Sequence, residues 1–258
     1  MASDDAGGQA GTIVFASYAY GSIAANQTVY SDFYPTNNDI LYAPTMKGPG
    51  RACVEITTVY GYGAPFVGFW DFCIPGNSNF HNSKTVDSTF INTYVRDLGD
   101  GVPMYSALVT VDPQNPNGWM GALWNYIGNY WEVIYSDSGD GSVYNGEGWS
   151  IFETHYHAVG QECSQIPTMQ SDSIRLDGTN VTTSNTYQYQ YGQCFGEDNA
   201  GNPTTVYGPY PYVFTMLAPN YDWQVVKQQP PPTPTPRPTP PDGGGGGQCG
   251  RFGCIQGP

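Results

Sequence analysis

Apolar and polar positions alternate in short runs along most of this chain, and Gly, Pro, Asn and Asp interrupt the runs. A period of two places successive side chains on opposite faces of an extended strand. The runs Thr12–Tyr20, Cys53–Tyr60, Phe66–Phe72, Thr89–Arg96, Met104–Val111, Tyr126–Tyr135, Trp149–His157, Tyr187–Cys194 and Val206–Leu217 therefore read as strands. Turn chemistry separates them at Gly48-Pro49-Gly50, Asn115-Pro116-Asn117-Gly118, Asp137–Gly141 and Asn199–Pro203. No helical period intervenes. Many short strands at this spacing predict an all-β, antiparallel sandwich or barrel over residues 12–226.

The texture changes at both ends. Residues 1–11 are small, acidic and Gly-rich, and are expected to be disordered. Their first ten residues have neither a basic start nor an apolar run, so no secretory signal is visible. Residues 227–247 hold eight prolines, three threonines and five consecutive glycines, which predicts an extended linker ending in a flexible joint. Residues 248–258 carry Cys249 and Cys254 in a loop too short for a core. The tail reads as a spacer, or as a means of surface tethering or assembly.

Composition narrows the function. The chain has 258 residues, 22 acidic and 8 basic side chains, and a net charge of −14. Nothing forms a basic face for phosphates, so nucleic-acid binding is disfavoured. The sequence contains no apolar stretch long enough to span a membrane. Six cysteines (Cys53, Cys73, Cys163, Cys194, Cys249, Cys254) fit no zinc template. With low Lys content and Asn-x-Thr sequons at Asn26 and Asn180, they point to an oxidising, extracellular setting. Pairing of consecutive cysteines, Cys53–Cys73, Cys163–Cys194 and Cys249–Cys254, is the expectation, although six cysteines permit many connectivities.

The chemistry lies in the glutamates, because strands disfavour that residue. Alternation puts Glu55 and Thr57 on one strand face and Val54 and Ile56 on the other; it also groups Trp149, Ile151, Glu153 and His155. Glu132 is a third strand glutamate. Two carboxyls across a cleft provide a proton donor and a proton acceptor when burial or mutual repulsion separates their titrations. Glu153 with His155, His157 and His81 is a weaker, metal-binding alternative. No Gly-x-Ser-x-Gly nucleophile motif occurs.

Residues 104–173 carry an ordered series of motifs: Tyr105 to Gly121 with Asp112-Pro113, Ile127-Gly128-Asn129-Tyr130-Trp131, Glu147 to Glu153, and Pro167 to Asp172. This series, with Cys53-Val54-Glu55-Ile56 upstream, resembles the neprosin domain, a family of glutamic peptidases. The resemblance implies a β-sandwich of two large antiparallel sheets with a groove across one face. It implies a two-glutamate site, Glu55 with Glu153 (Glu147 as the fallback), hydrolysing peptides in acid and preferring to cut after proline. No metal or cofactor is implied. Tyr60, Tyr62, Trp124 and Tyr126 are the expected substrate-binding residues, with Trp131 and Trp149 in the core. Ile56, Thr57 and Thr58 stand where the family has smaller residues or Gly-Trp, Ile151 and Phe152 replace glycines, and Gln170 and Asp172 replace glycines near the groove. That bulk is expected to crowd the cleft. The other functions compatible with the pattern are a non-catalytic carbohydrate- or protein-binding module and a structural surface module.

Overall fold

The computed structural model describes residues 7–17, 21–74, 80–98, 101–137, 146–155, 162–197, 202–203, 206 and 208–228. Strands are numbered in chain order. Seven form the first sheet: β1 (Gly8–Val14), β3 (Ile40–Lys47), β4 (Val54–Tyr60), β5 (Phe66–Asp71), β6 (Asn82–Thr85), β11 (Gly148–His155) and β14 (Thr186–Gly192). Their spatial order is β14-β1-β11-β3-β4-β5-β6, and every pairing is antiparallel. The second sheet has nine: β2 (Ile23–Thr28), β7 (Val95–Asp97), β8 (Pro103–Asp112), β9 (Asn115–Asn125), β10 (Tyr130–Ser136), β12 (Met169–Leu176), β13 (Thr179–Asn180), β15 (Tyr212–Ala218) and β16 (Asp222–Lys227). Their order is β10-β9-β8-β2-β12-β16-β15, with β13 added on β12 and β7 on β8.

The sheets pack face to face. Leu41, Met46, Val54, Ile56, Phe69 and Phe152 from the first meet Ile23, Tyr105, Val109, Leu123, Met169 and Trp223 from the second in one core. Phe69 is fully buried and lies against Gly121, where an added Cβ would come within 2.6 Å of its ring. The glycine thus lets β9 approach the first sheet closely. Two disulfides, Cys53–Cys73 and Cys163–Cys194, form as the spacing suggested. Cys249 and Cys254 lie outside the described residues, as does the whole 229–258 tail. Among the described residues no helix is long and apolar enough to cross a membrane.

Several local expectations are corrected. Ser88–Tyr94 is a helix, α1, instead of a strand. Its β-branched residues suggested extended structure, but Asp87 caps it by accepting from the Phe90 amide at 2.9 Å. Phe90 and Tyr94, four apart, then bury one helical face. The first strand begins at Gly8, within the segment expected to be disordered, and sits between β11 and β14. The pairing on both sides orders residues that composition alone marked as loose. Asn115 to Gly118 opens β9, since the chain already reverses at Pro113-Gln114. Of the sequons, Asn180 is exposed on β13, whereas Asn26 is half-buried in β2.

Phe69→Ala should cost about 3–5 kcal/mol, because the facing glycine has no side chain with which to refill the space. Guanidinium denaturation checks this, and a loss below about 1 kcal/mol would contradict the packing described.

Candidate functional site

The outer face of the first sheet carries a groove of about 570 Å³. Strand alternation builds it. On β4, Val54 and Ile56 enter the core, so Glu55 and Thr57 face the groove. On β11, Phe152 enters the core, so Trp149, Ile151, Glu153 and His155 face it. Gln9 and Ile13 from β1, Ile40 and Tyr42 from β3, Trp70 from β5, and Tyr187 and Tyr189 from β14 extend the lining. Tyr62, Phe72, Phe80 and Glu147 close its margins. Bulk at Ile56 and Phe152 does not fill the cleft, because both side chains point to the opposite face. Gln170 and Asp172 are on β12 in the second sheet, where they hydrogen-bond each other at 3.1 Å, well removed from the groove lining.

Glu55 sits low in the groove. Its Oε1 accepts from Thr45 Oγ1 at 2.5 Å and from Trp149 Nε1 at 2.8 Å. Desolvation pushes its carboxyl up to about 7, and the Glu153 charge adds to the rise. The two hydrogen bonds and the Lys47 ammonium oppose it. Lys47 is fully buried and donates to the Gly48 carbonyl at 2.9 Å. Burial lowers its ammonium to about 7, with attraction to Glu55 acting the other way.

Glu153 belongs to a different set of contacts. Gln9, its cross-strand neighbour, donates from Nε2 to Oε1 at 2.5 Å. His155 Nε2 lies 3.2 Å from the same oxygen. The imidazole packs edge-on against Tyr42, whose hydroxyl is 3.5 Å from that of Tyr62. Burial, followed by the Tyr62 hydrogen bond, raises Tyr42 further above the ordinary phenol range. Glu147 lies at the margin, where Tyr187 donates to both carboxylate oxygens at 3.2 and 3.1 Å.

Thus Glu55, Glu153 and Glu147 all border one groove, and Tyr62 joins them with 60% of its surface exposed. Three expected binding residues do not. Tyr60 is fully buried in the core, its hydroxyl accepting from the Tyr30 amide. Its position on β4 has the parity of Ile56, not of Glu55, so alternation sends it inward. Trp124 is on β9 of the second sheet and packs against Trp131, and Tyr126, in the turn that follows β9, carries Arg96 over its ring at 4.7 Å. Trp131 is 36% exposed instead of buried in the core, while Trp149 forms the groove floor with Ile13 and Ile151. Glu132 is held by Lys84, Tyr94 and Asn125, away from the groove. His81 stacks on Tyr135, separate from the Glu153–His155 pair, and His157 lies outside the described residues. The one cluster with metal-ligand atoms in mutual reach among the described residues is Cys53, Asp71 and Cys73, and its two sulfurs are joined in a disulfide.

Among the solved structures that align with this chain are three peptidase complexes. Scytalido-glutamic peptidase with a peptide-based transition-state analogue aligns over 87% of this chain and 100% of its own, at 12% identity and a TM-score of 0.49. The same peptidase with a transition-state analogue inhibitor covers 87% and 99%, at 13% identity and a TM-score of 0.47. SCP-B, a member of the Eqolisin family of peptidases in complex with the tripeptide Ala-Ile-His, covers 87% and 100%, at 10% identity and a TM-score of 0.47. No family model and no curated protein matches the sequence. The chemistry of the groove therefore stands on its own atoms.

Gln9, Tyr42, Lys47, Trp70, Tyr187 and Tyr189 were not anticipated as site residues. The tyrosines had a signal, since Tyr187-Gln188-Tyr189-Gln190-Tyr191 places three rings on one face of a strand. Gln9 had none, lying in a segment that reads as loose.

Stability should trace the half-buried Glu55 and the buried Lys47 beside it. For Glu55, the native state binds more protons than the unfolded state between about pH 4.5 and 7, so its contribution to stability is present in acid and is lost as pH rises through that window. For Lys47, the native state binds fewer protons between about pH 7 and 10.5, so stability rises with pH there. The combined profile should dip near pH 7, and Glu55→Gln should flatten its acid side. Denaturation midpoints across pH 4–10 check this; an unchanged acid-side slope in Glu55→Gln would count against the burial of that acid.

Proposed function

We propose that the groove is the active site of a glutamic endopeptidase in which Glu55 and Glu153 hydrolyse a peptide bond. The observation that carries this reading is the unlike setting of two glutamates on one groove: Glu55, half-buried between Thr45 and Trp149 and pushed up to about 7 by desolvation, and Glu153, held by Gln9 and His155. The motif order that resembles the neprosin domain supports the same reading.

In the proposed reaction Glu153, as carboxylate, takes a proton from a water. The water oxygen bonds to the carbonyl carbon while Glu55 gives its proton to the carbonyl oxygen. Collapse of the tetrahedral species returns that proton to Glu55 and breaks the C–N bond, and Glu153 hands its proton to the leaving nitrogen. Every proton is accounted for by the two side chains and the water. The aromatic walls suit proline rings as well as other apolar side chains, which supports a preference for cleavage after proline. Two disulfides in a chain of this composition support secretion into an oxidising space. Glycosylation at the exposed Asn180 and tethering through the Pro/Thr tail extend the proposal.

A second reading has its own support. Tyr62, Trp70, Tyr187 and Tyr189 also form the kind of surface on which sugar rings stack, so a non-catalytic carbohydrate-binding module is compatible with the groove. Incubation with a proline-containing peptide at roughly pH 3–5 separates the two. Cleavage should occur in the wild type and fall by about 10²-fold or more in Glu55→Gln and in Glu153→Gln, with the circular dichroism of both variants unchanged. Full activity in either variant removes that residue from the mechanism. Glycan binding without cleavage at any pH selects the second reading.

A further inference from the structure

A row of side chains crosses the groove floor at right angles to the strands. Trp149 on β11 stands opposite Lys47 on β3, Lys47 stands opposite Glu55 on β4, and Glu55 stands opposite Trp70 on β5. All four are on the groove side, and directly opposed residues in an antiparallel pair have neighbouring side chains. Lys47 is fully enclosed there. Its Nζ lies over the Trp149 ring at 5.3 Å and over the Phe72 ring at 5.7 Å. The same indole turns its edge to the acid, with Nε1 donating to Glu55 Oε1. One aromatic ring therefore offers its negative face to a cation and its N–H to the carboxyl beside that cation.

An enclosed ammonium at this position has a use that a solvated one lacks. In a desolvated setting its field reaches the neighbouring carboxyl with little screening. Its contact with Trp149 also restrains the indole that reaches Glu55. We propose that Lys47 is a positioning residue of this site, orienting Trp149 toward Glu55 and setting through its charge how readily Glu55 releases its proton. This rests on the reading of Glu55 as the proton donor. The groups that act on Glu55 from the surrounding elements are Lys47 and Thr45 on β3, and Trp149 and Glu153 on β11. Those around Lys47 include Glu55 on β4, Trp149, Phe72 and the Gly48 carbonyl. Each of the two groups is shifted by desolvation in the direction that disfavours its charge, and each is drawn back by the other.

The test replaces Lys47 with methionine, which keeps the length of the stem and removes the charge. In Lys47→Met, the titration midpoint of the Glu55 carboxyl, followed by ¹³C NMR, should shift to higher pH, because an attraction that favours the carboxylate is removed. The acid-to-neutral limb of peptide hydrolysis should move with it. A folded Lys47→Met protein with an unmoved Glu55 midpoint overturns the proposal. Should that variant fail to fold, the reciprocal measurement decides. The Lys47 ammonium, followed by ¹⁵N NMR, should titrate at lower pH in Glu55→Gln than in the wild type, because the attraction is mutual; an unchanged midpoint there also overturns it. If neither wild type nor variant cleaves peptide while the midpoints still move, the peptidase reading fails and the role of Lys47 stands. If peptide is cleaved and the midpoints do not move, Lys47 fails and the peptidase reading stands.

Discussion

The first sheet has to bury apolar side chains on one face and carry ionisable groups on the other, and strand alternation is what allows both demands to be met by neighbouring residues. Val54 and Ile56 are core residues, while Glu55 between them belongs to the groove. Phe152 is core, while Glu153 next to it belongs to the groove. A one-residue slip of either strand would send a carboxylate into the sandwich interior. Register is therefore set by the core, and the placement of the acids follows from it.

Desolvation then separates the two acids. The groove floor is aromatic, with Trp149, Trp70 and Phe72 around Glu55 and Lys47. Water is displaced at the Glu55–Lys47 end, which is why burial is the dominant cause of the shift at both groups. Glu153 meets a different set of partners, Gln9 and His155. Two chemically identical side chains thereby acquire unlike surroundings, the condition under which a pair of carboxyls divides into donor and acceptor.

The second sheet shows the same residue types put to structural use. Glu132 there is tied to Lys84, Tyr94 and Asn125; desolvation is the largest single influence and raises its carboxyl, but those partners together outweigh it and lower the carboxyl. Trp124 meets Trp131 edge to face, and Arg96 lies over the Tyr126 ring. A glutamate or a tryptophan in a strand is thus no guide to function until the face and the sheet to which it belongs are known.

The all-β, antiparallel character, the alternation around Glu55 and Glu153, and two of the cysteine pairings were legible in the chain, because period-two patterning and short sequence separations are local properties; the choice of two packed sheets over a barrel came from the family resemblance. Helix α1 was not, since its β-branched residues favour extension and only the Asp87 cap and the burial of Phe90 and Tyr94 reverse that preference. Tertiary structure alone decided which sheet each aromatic joins: Tyr60 faces inward, Tyr62 reaches the groove, and Trp124 and Tyr126 lie on the other side of the molecule. It also decided that Gln9 meets Glu153 and that Lys47 lies beside Glu55, because strands far apart in sequence become neighbours only through sheet order and register, quantities that no local window of residues contains.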